Sequence, residues 1–343
     1  MKILYFGTNH AKSIKPLMEL DREHQIVGVL EWSPKGSASK EFLRQIYHYG
    51  KNFRGGIKTL RSFAKRKNIP HINTQSCPMD TGEFQEKAKE LQPELICVSY
   101  FGDRIPLNIL EIPKYGGINA HGSYLPNYRG AIPWFWQYYH MEKEGGVTIH
   151  RLTEREDEGE ILLQEKFPIE LGLKEEALLH RITELATKLM TKTVREIEQA
   201  GKIQGKSKGK QPEEKPTKQS HHGKGQRKKH EETSRNLFKG RCIQRGEKFI
   251  DWENWDVKRV YHFLRGTGAM ELNPPYLGGF WEVVDYRELK GPSENTPLMA
   301  KGLQPGDIEK SKEGYRLICK NGEVRLKSRW SMKDLIRQLL TAR

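Results

Sequence analysis

From its first residue the chain alternates short apolar runs with longer amphipathic stretches. MKILYF is apolar, Gly7 closes it, and a helical pattern follows from His10 to Leu20, which predicts a strand, a turn and a helix. Further β-like runs lie at Gln25 to Leu30, Leu95 to Tyr100, Gly117 to Ala120 and Gly146 to Leu152. Between and after them, helical patterns cover Ile57 to Lys67, Thr81 to Leu91, Pro133 to Lys143 and Lys174 to Ala200. In the last of these, apolar residues recur at intervals of three and four. Strands alternating with helices predict an α/β fold, a Rossmann-like and mostly parallel sheet with helices on both faces. Its expected extent is residues 1–200.

The pattern then stops. From Gly201 to about residue 235 the chain is rich in Lys, Gly, Gln and Ser and almost free of apolar residues, so it cannot offset the entropy of ordering. A flexible Lys-rich linker is expected over 201–235. Beyond it, FIDWENWDVKRVYHFLRG reads as a strand start and a short amphipathic helix, followed by the β-like runs FWEVVDY, GYRLICK and EVRLKSRW. Asn321-Gly322 between the last two is a hairpin signal. A small β-barrel domain of the OB type is expected over 236–330, and a short helical tail over 331–343. Trp252, Trp255 and Trp281 are read as core packing in this unit, with stacking on RNA as the other use.

Composition sharpens this picture. The 343 residues suit two domains better than one core. The formal net charge of +15 favours polyanionic partners. More than half of that excess lies between Lys202 and His230, where only Glu213 and Glu214 are acidic. Cys77, Cys97, Cys242 and Cys319 lack CxxC spacing, so neither a disulfide framework nor a zinc site is implied, and Cys97 is expected as a buried thiol. His221 and His222 sit among lysines that repel cations, and no metal site is assigned to them. Without a leader-like start or an apolar run of membrane length, the expectation is a soluble, cytoplasmic protein with no membrane contact, read as a monomer.

The stretch richest in chemistry is GINAHGSYLPNYRGAIP, Gly117 to Pro133. On a strand, Asn119 and His121 face one side because side chains alternate. The loop TEREDEG, Thr153 to Gly159, follows GVTIHRL and brings Asp157 toward the same sheet edge. An amide, an imidazole and a carboxylate beside a carbonyl suit acyl transfer: Asn119 and a protonated His121 donate to a developing oxyanion, and Asp157 raises the basicity of His121 and relays a proton. Taken alone, an Asn and a His at a strand end more often satisfy backbone hydrogen bonds. Ser123 is read as shaping the turn after the strand and as a candidate acceptor contact; it lacks the GxSxG elbow of a nucleophile. Gly7 and Thr8 are candidates to hold a substrate phosphate on backbone N–H groups, a tight turn being the equal alternative.

These segments resemble the folate-dependent formyltransferases, particularly those with the architecture of methionyl-tRNA formyltransferase. INAHGSYLPNYRGAIP and GVTIHRLTEREDEGEILLQEKFPI carry the resemblance in order and separation; the Gly7-Thr8 turn, FIDW and PPYLGGF add to it. The resemblance implies that Asn119, His121 and Asp157 are catalytic and that an amine attacks the formyl carbon of 10-formyltetrahydrofolate without a metal. It also implies folate walls at Phe101, Gly102, Asp103, Arg104 and Ile105 and at Thr153 to Asp157.

The acceptor divides the alternatives. Basic charge, the Lys-rich segment and a C-terminal β unit favour methionyl-tRNA, with phosphate neutralisation dominating affinity and Lys35 and Lys40 as candidate acceptor contacts. The aromatic AIPWFWQ after the LPNYRG turn favours a nucleotide-linked amino sugar instead, with Trp134 to Trp136 lining a smaller pocket. Water as acceptor and a retired, non-catalytic fold complete the set.

Overall fold

The computed structural model describes residues 1–33, 59–203, 240–243, 247–269, 271–272, 279–289 and 302–330. Lys35, Lys40, most of the Lys-rich segment and the tail expected over 331–343 lie outside the described residues.

Seven strands form the larger sheet, in the order β3-β2-β1-β4-β5-β6-β7. They are β1 (Lys2–Thr8), β2 (Gln25–Trp32), β3 (His71–Asn73), β4 (Leu95–Ser99), β5 (Gly117–His121), β6 (Glu144–Arg151) and β7 (Ile161–Pro168). The first five run parallel, whereas β6 is antiparallel to β5 and β7 to β6. The sheet is mostly parallel as expected, with β3 and β7 as strands that the apolar pattern does not reveal: β3 has three residues, and β7 buries little of its length.

Alternation along β1 divides two cores. Ile3 and Tyr5 face one side; Leu4 and Phe6 face the other. On the first side lie α1 (Ala11–Leu20), α2 (Leu60–Lys67) and the long α6 (Glu175–Ala200). The second side carries α3 (Gly82–Glu90) and the short α4 (Leu107–Leu110). Each helix begins or ends for a local reason. Thr59 and Ser62 form a reciprocal capping box on α2, and Thr81 caps α3. Glu175 and Glu176 oppose the positive end of the α6 dipole, and Gly201 ends that helix in the left-handed region. Cys97, fully buried in β4, is the thiol expected in the core.

After the Lys-rich segment the chain packs back onto the first unit. Helix α7 (Val257–Thr267), capped by Asp256, sets Phe263 against Phe135 of α5 (Pro133–Tyr139), ring centroids 5.4 Å apart. Its opposite side meets a four-stranded antiparallel sheet in the order β8-β11-β10-β9. These strands are β8 (Gly279–Glu288), β9 (Ile308–Ser311), β10 (Gly314–Cys319) and β11 (Gly322–Trp330). Trp255 and Trp281 are buried in this core, the packing use expected of them. The expected hairpin is present one residue earlier than read: Cys319 pairs with Gly322, so Lys320 and Asn321 make the turn. Asn321 spends its side chain elsewhere, its Oδ1 accepting the Val257 N–H at 2.8 Å.

Candidate active site

The pairing of β5 with β6 builds the site. Asn119 lies opposite His150 and His121 opposite Thr148. Ile118, Val147 and Ile149 point into the core on the other face, so alternation places Asn119, His121, Thr148 and His150 together. The connection from β5 to β6 leaves and re-enters the sheet at one edge, and α5 lies within it. The chain after β6 then turns back, with Leu152 N–H on Gly117 O and Arg151 N–H on Glu160 O. That return carries Asp157 to the two histidines.

Asp157 is the hub. Its Oδ2 is 3.5 Å from His121 Nδ1 and its Oδ1 is 3.3 Å from His150 Nε2. The backbone N–H of Gly130 donates to Oδ2 at 2.8 Å. Asp157 adopts φ 52, a left-handed conformation that aspartate tolerates better than most residues. Burial pushes its carboxyl up, but the His150 hydrogen bond, the His121 charge and the Gly130 N–H outweigh burial and bring it down to about 2. At neutral pH it is an anion with two imidazoles and an amide N–H around it.

The imidazoles are oriented by backbone carbonyls. His121 Nε2–H donates to Tyr128 O at 2.8 Å, and this leaves Nδ1 facing Asp157. His150 Nδ1–H donates to Arg151 O at 3.0 Å, and its Nε2 faces both Asp157 and the Asn119 amide, 3.1 Å from Nδ2. A bare inward nitrogen turns its lone pair toward the carboxylate. Burial, the largest influence, lowers the His121 pKa; Asp157 opposes it and His150 adds to it.

These shifts fix a sign for acid stability. An unfolded aspartate titrates near ~3.9, above the folded value of about 2. The contribution of Asp157 is therefore complete above pH ~4 and lost as the pH falls through the folded value, on the order of 2 kcal/mol. His121 acts in the same direction from a higher pH, since the unfolded chain takes up its proton first below about 6.5. Urea unfolding of wild type and Asp157→Asn across this range should show a wild-type advantage that shrinks as pH falls. A gap independent of pH would contradict the assignment.

Of the other residues singled out from the sequence, some border this cluster and some do not. Val98 of β4 pairs with Asn119, so the segment from Phe101 to Ile105 leaves the sheet one strand away. Gly102, Asp103 and Arg104 are exposed there, Ile105 is buried, and Trp32 lies 2.6 Å from where a Gly102 Cβ would sit. Thr153 is exposed in the Asp157 loop, its hydroxyl on Arg155 O. Ser123 is fully buried and donates to Asn127 O at 2.6 Å, which fits the turn-shaping role and commits its hydroxyl. Gly7 and Thr8 end β1, which pairs with β4 and not with β5, so they are not joined to the cluster. The Thr8 N–H is taken by Ser13 Oγ at 3.2 Å, and that oxygen also fills the space a Gly7 side chain would need.

The sequence pattern does not single out His150 as a site residue, nor the Tyr128 carbonyl or the Gly130 N–H. Period-two alternation in GVTIHRL puts His150 on the Thr148 face, but its place beside Asn119 depends on β6 running antiparallel.

Residues 58–194 match the family model described as formyl transferase. Over these residues the chain is similar to the formyl transferases. Asn119, His121, His150 and Asp157 all fall inside the matched residues. A methionyl-tRNA formyltransferase of Ehrlichia ruminantium (strain Gardel) is 40% identical over 199 residues, 58% of this chain and 61% of that protein. Another, from Alkaliphilus oremlandii, is 34% identical over 200 residues, 58% of this chain and 59% of that protein. The aligned region thus spans only about three fifths of those relatives. An N-formyltransferase of Helicobacter canadensis, solved with folinic acid and dTDP-3-aminofucose, superposes with TM-score 0.59 at 16% identity, covering 95% of this chain and 98% of that one. The sugar 3N-formyl transferase WlaRD gives 0.58 at 16% identity, covering 96% and 97%. At such identity the two structures bear on the fold alone, and they extend it past the residues that match the family model to the C-terminal sheet. Among the described residues no helix is long and apolar enough to cross a membrane.

Proposed function

We propose that this protein transfers the formyl group of 10-formyltetrahydrofolate to the α-amine of methionyl-tRNA. The observation that carries the reading is the cluster of Asn119, His121, His150 and Asp157: one ionised carboxylate, two imidazoles aimed at it and an amide at its mouth. The folate supplies the formyl carbon, and the segments 101–105 and 153–157, which flank Asn119 and carry Asp157, are its walls.

The chemistry follows from what each group has to give. The amine nitrogen bonds to the formyl carbon while the carbonyl oxygen gains negative charge. Asn119 Nδ2 lies 3.1 Å from His150 Nε2, and its NH2 donates to that oxygen. The attacking amine must lose a proton and the departing folate nitrogen must gain one. His121 Nδ1 and His150 Nε2, both against Asp157, hold that proton in between. When the bond to the folate nitrogen breaks, the proton leaves with it and the cluster returns to its starting charge.

The tRNA as acceptor rests on relatives named methionyl-tRNA formyltransferase and on the net charge of +15. Trp136, offered by its sequence as a wall for a smaller acceptor, is instead buried against Phe249, ring centroids 5.9 Å apart. The test is tetrahydrofolate release by the purified chain with methionyl-tRNA, a nucleotide-linked amino sugar, or no acceptor. Release with the tRNA alone is expected. Release with the sugar alone would transfer the acceptor, and equal release in every arm would make the protein a hydrolase.

His150 is expected to matter less than the groups that meet substrate. His150→Gln keeps a donor toward Asp157 but cannot take up a proton, and should lower kcat on the order of tenfold with KM little changed. Steady-state kinetics at matched folate saturation check this, and an unchanged kcat would remove His150 from the proton path.

A further inference from the structure

The two backbone groups that orient the catalytic pair, Tyr128 O on His121 and Gly130 N–H on Asp157, belong to one loop in a costly conformation. Tyr128 has φ 60 and Gly130 φ 107, and a tyrosine in the left-handed region persists only where its surroundings hold it. The Tyr128 hydroxyl is anchored at one end by Glu142 Oε1 at 2.7 Å. A further anchor comes from more than a hundred residues later in the sequence.

We propose that Gly240 and Arg241 form a positioning strap for this loop, an inference that rests on the reading of the site given above. Gly240 N–H donates to Arg129 O at 2.5 Å, and Gly240 O accepts the Ile132 N–H at 3.4 Å, so the strap bonds on both sides of Gly130. The fit is close: a Cβ on Gly130 would lie 2.6 Å from Gly240 O, and one on Gly240 would lie 3.2 Å from Arg129 O and 3.3 Å from Tyr128 O, so those neighbours would have to shift. Arg241 locks the strap to α5. Its carbonyl accepts the Trp136 Nε1–H at 2.8 Å, and its guanidinium stacks 4.7 Å over the Trp136 ring while pairing with Glu247. Among the described residues no hydrogen bond or ion pair joins the strap to His121 or Asp157; it acts through the loop that bonds to both. Completion of the site thus depends on the chain beyond residue 194, where the match to the family model ends.

The test uses the full chain and two variants. Gly240→Ala presses a methyl group toward Tyr128 O and Arg129 O without demanding a forbidden backbone angle. Trp136→Phe removes the donor to Arg241 O and keeps an aromatic ring in place. The first readout is the His121 ring nitrogen resonances without substrate, assigned by comparison with His121→Gln. Circular dichroism and Tm follow folding, and kcat and KM for 10-formyltetrahydrofolate follow transfer.

The expected result is a displaced His121 Nε2 resonance in both variants, with kcat lower by about tenfold or more and KM within about twofold, since small misplacements of catalytic groups cost rate rather than binding. Wild-type resonances and wild-type kcat in folded variants would overturn the strap. So would a fall in Tm with undisturbed His121 resonances, which would mean a structural tie only. Gly240→Ala failing to fold leaves Trp136→Phe to decide. If wild type transfers no formyl group, the reading of the site fails while the resonances still decide the strap.

Discussion

Replacing Asp157 with asparagine is expected to lower the rate of formyl transfer on the order of 10³-fold, with a much smaller change in KM. The size follows from how many partners share one carboxylate. Asparagine is nearly isosteric, so the Gly130 N–H still finds an acceptor and the loop keeps its place. What disappears is the charge. Burial disfavours protonated His121, and the Asp157 charge is the strongest influence raising its pKa. Without it the imidazole loses its reason to hold a proton beside the reacting amine. The amide can relay nothing in its stead. Single-turnover kinetics across pH would show the loss as a fall in the chemical step at every pH, and near-normal turnover would remove Asp157 from the proton path.

Asn119→Ala is expected to cost about 10²- to 10³-fold in kcat, the range seen when a buried oxyanion donor is removed. Asn119 is half-buried, on the open side of the cluster, whereas His121 has its Nε2–H committed to Tyr128 O. The amide is therefore the donor best placed for the carbonyl oxygen. Its loss also strips His150 Nε2 of a partner. Folding should be little affected, because the side chain faces the site and the strand ladder is made by backbone. An Asn119→Ala enzyme with kcat unchanged and KM raised would instead make Asn119 a binding residue.

Much of this arrangement is legible in the sequence. Two-residue spacing puts Asn119 and His121 on one face, and the apolar runs of β1, β2 and β4 mark a parallel core. Helix boundaries fall within a few residues where caps such as Thr81 and Gly201 stand. The remainder is hidden for physical reasons. β3 is too short to show a period, and β7 is too exposed. Strand direction leaves no mark in the alternation, so β6 reads the same parallel or antiparallel, and with it the pairing of His150 with Asn119. The orienting groups of the site are main-chain atoms of Tyr128 and Gly130, which no residue type announces. The Asn321-Gly322 signal marks a hairpin correctly but not its register, because Asn321 is drawn to the α7 N-terminus. Gly240, isolated in sequence, becomes meaningful only when it is found against Arg129 and Gly130.

The aromatic run after LPNYRG shows how a pattern is open to two uses. Phe135, Trp136 and Tyr139 are as suited to a small-molecule pocket as to a helix interface. Here Phe249, Trp255 and Phe263 arrive from the distal segment to meet them, with Arg259 stacked 4.1 Å over the Trp255 ring. That interface joins the two parts of the chain around one apolar core.

The most direct measurement is mass spectrometry of the methionine released from charged tRNA after incubation with 10-formyltetrahydrofolate and either wild-type protein or Asp157→Asn. Formylation of the methionine α-amine by wild type, and almost none by the variant, is the predicted result. Methionine left unformylated by wild type, or formylated equally by both proteins, would contradict the account.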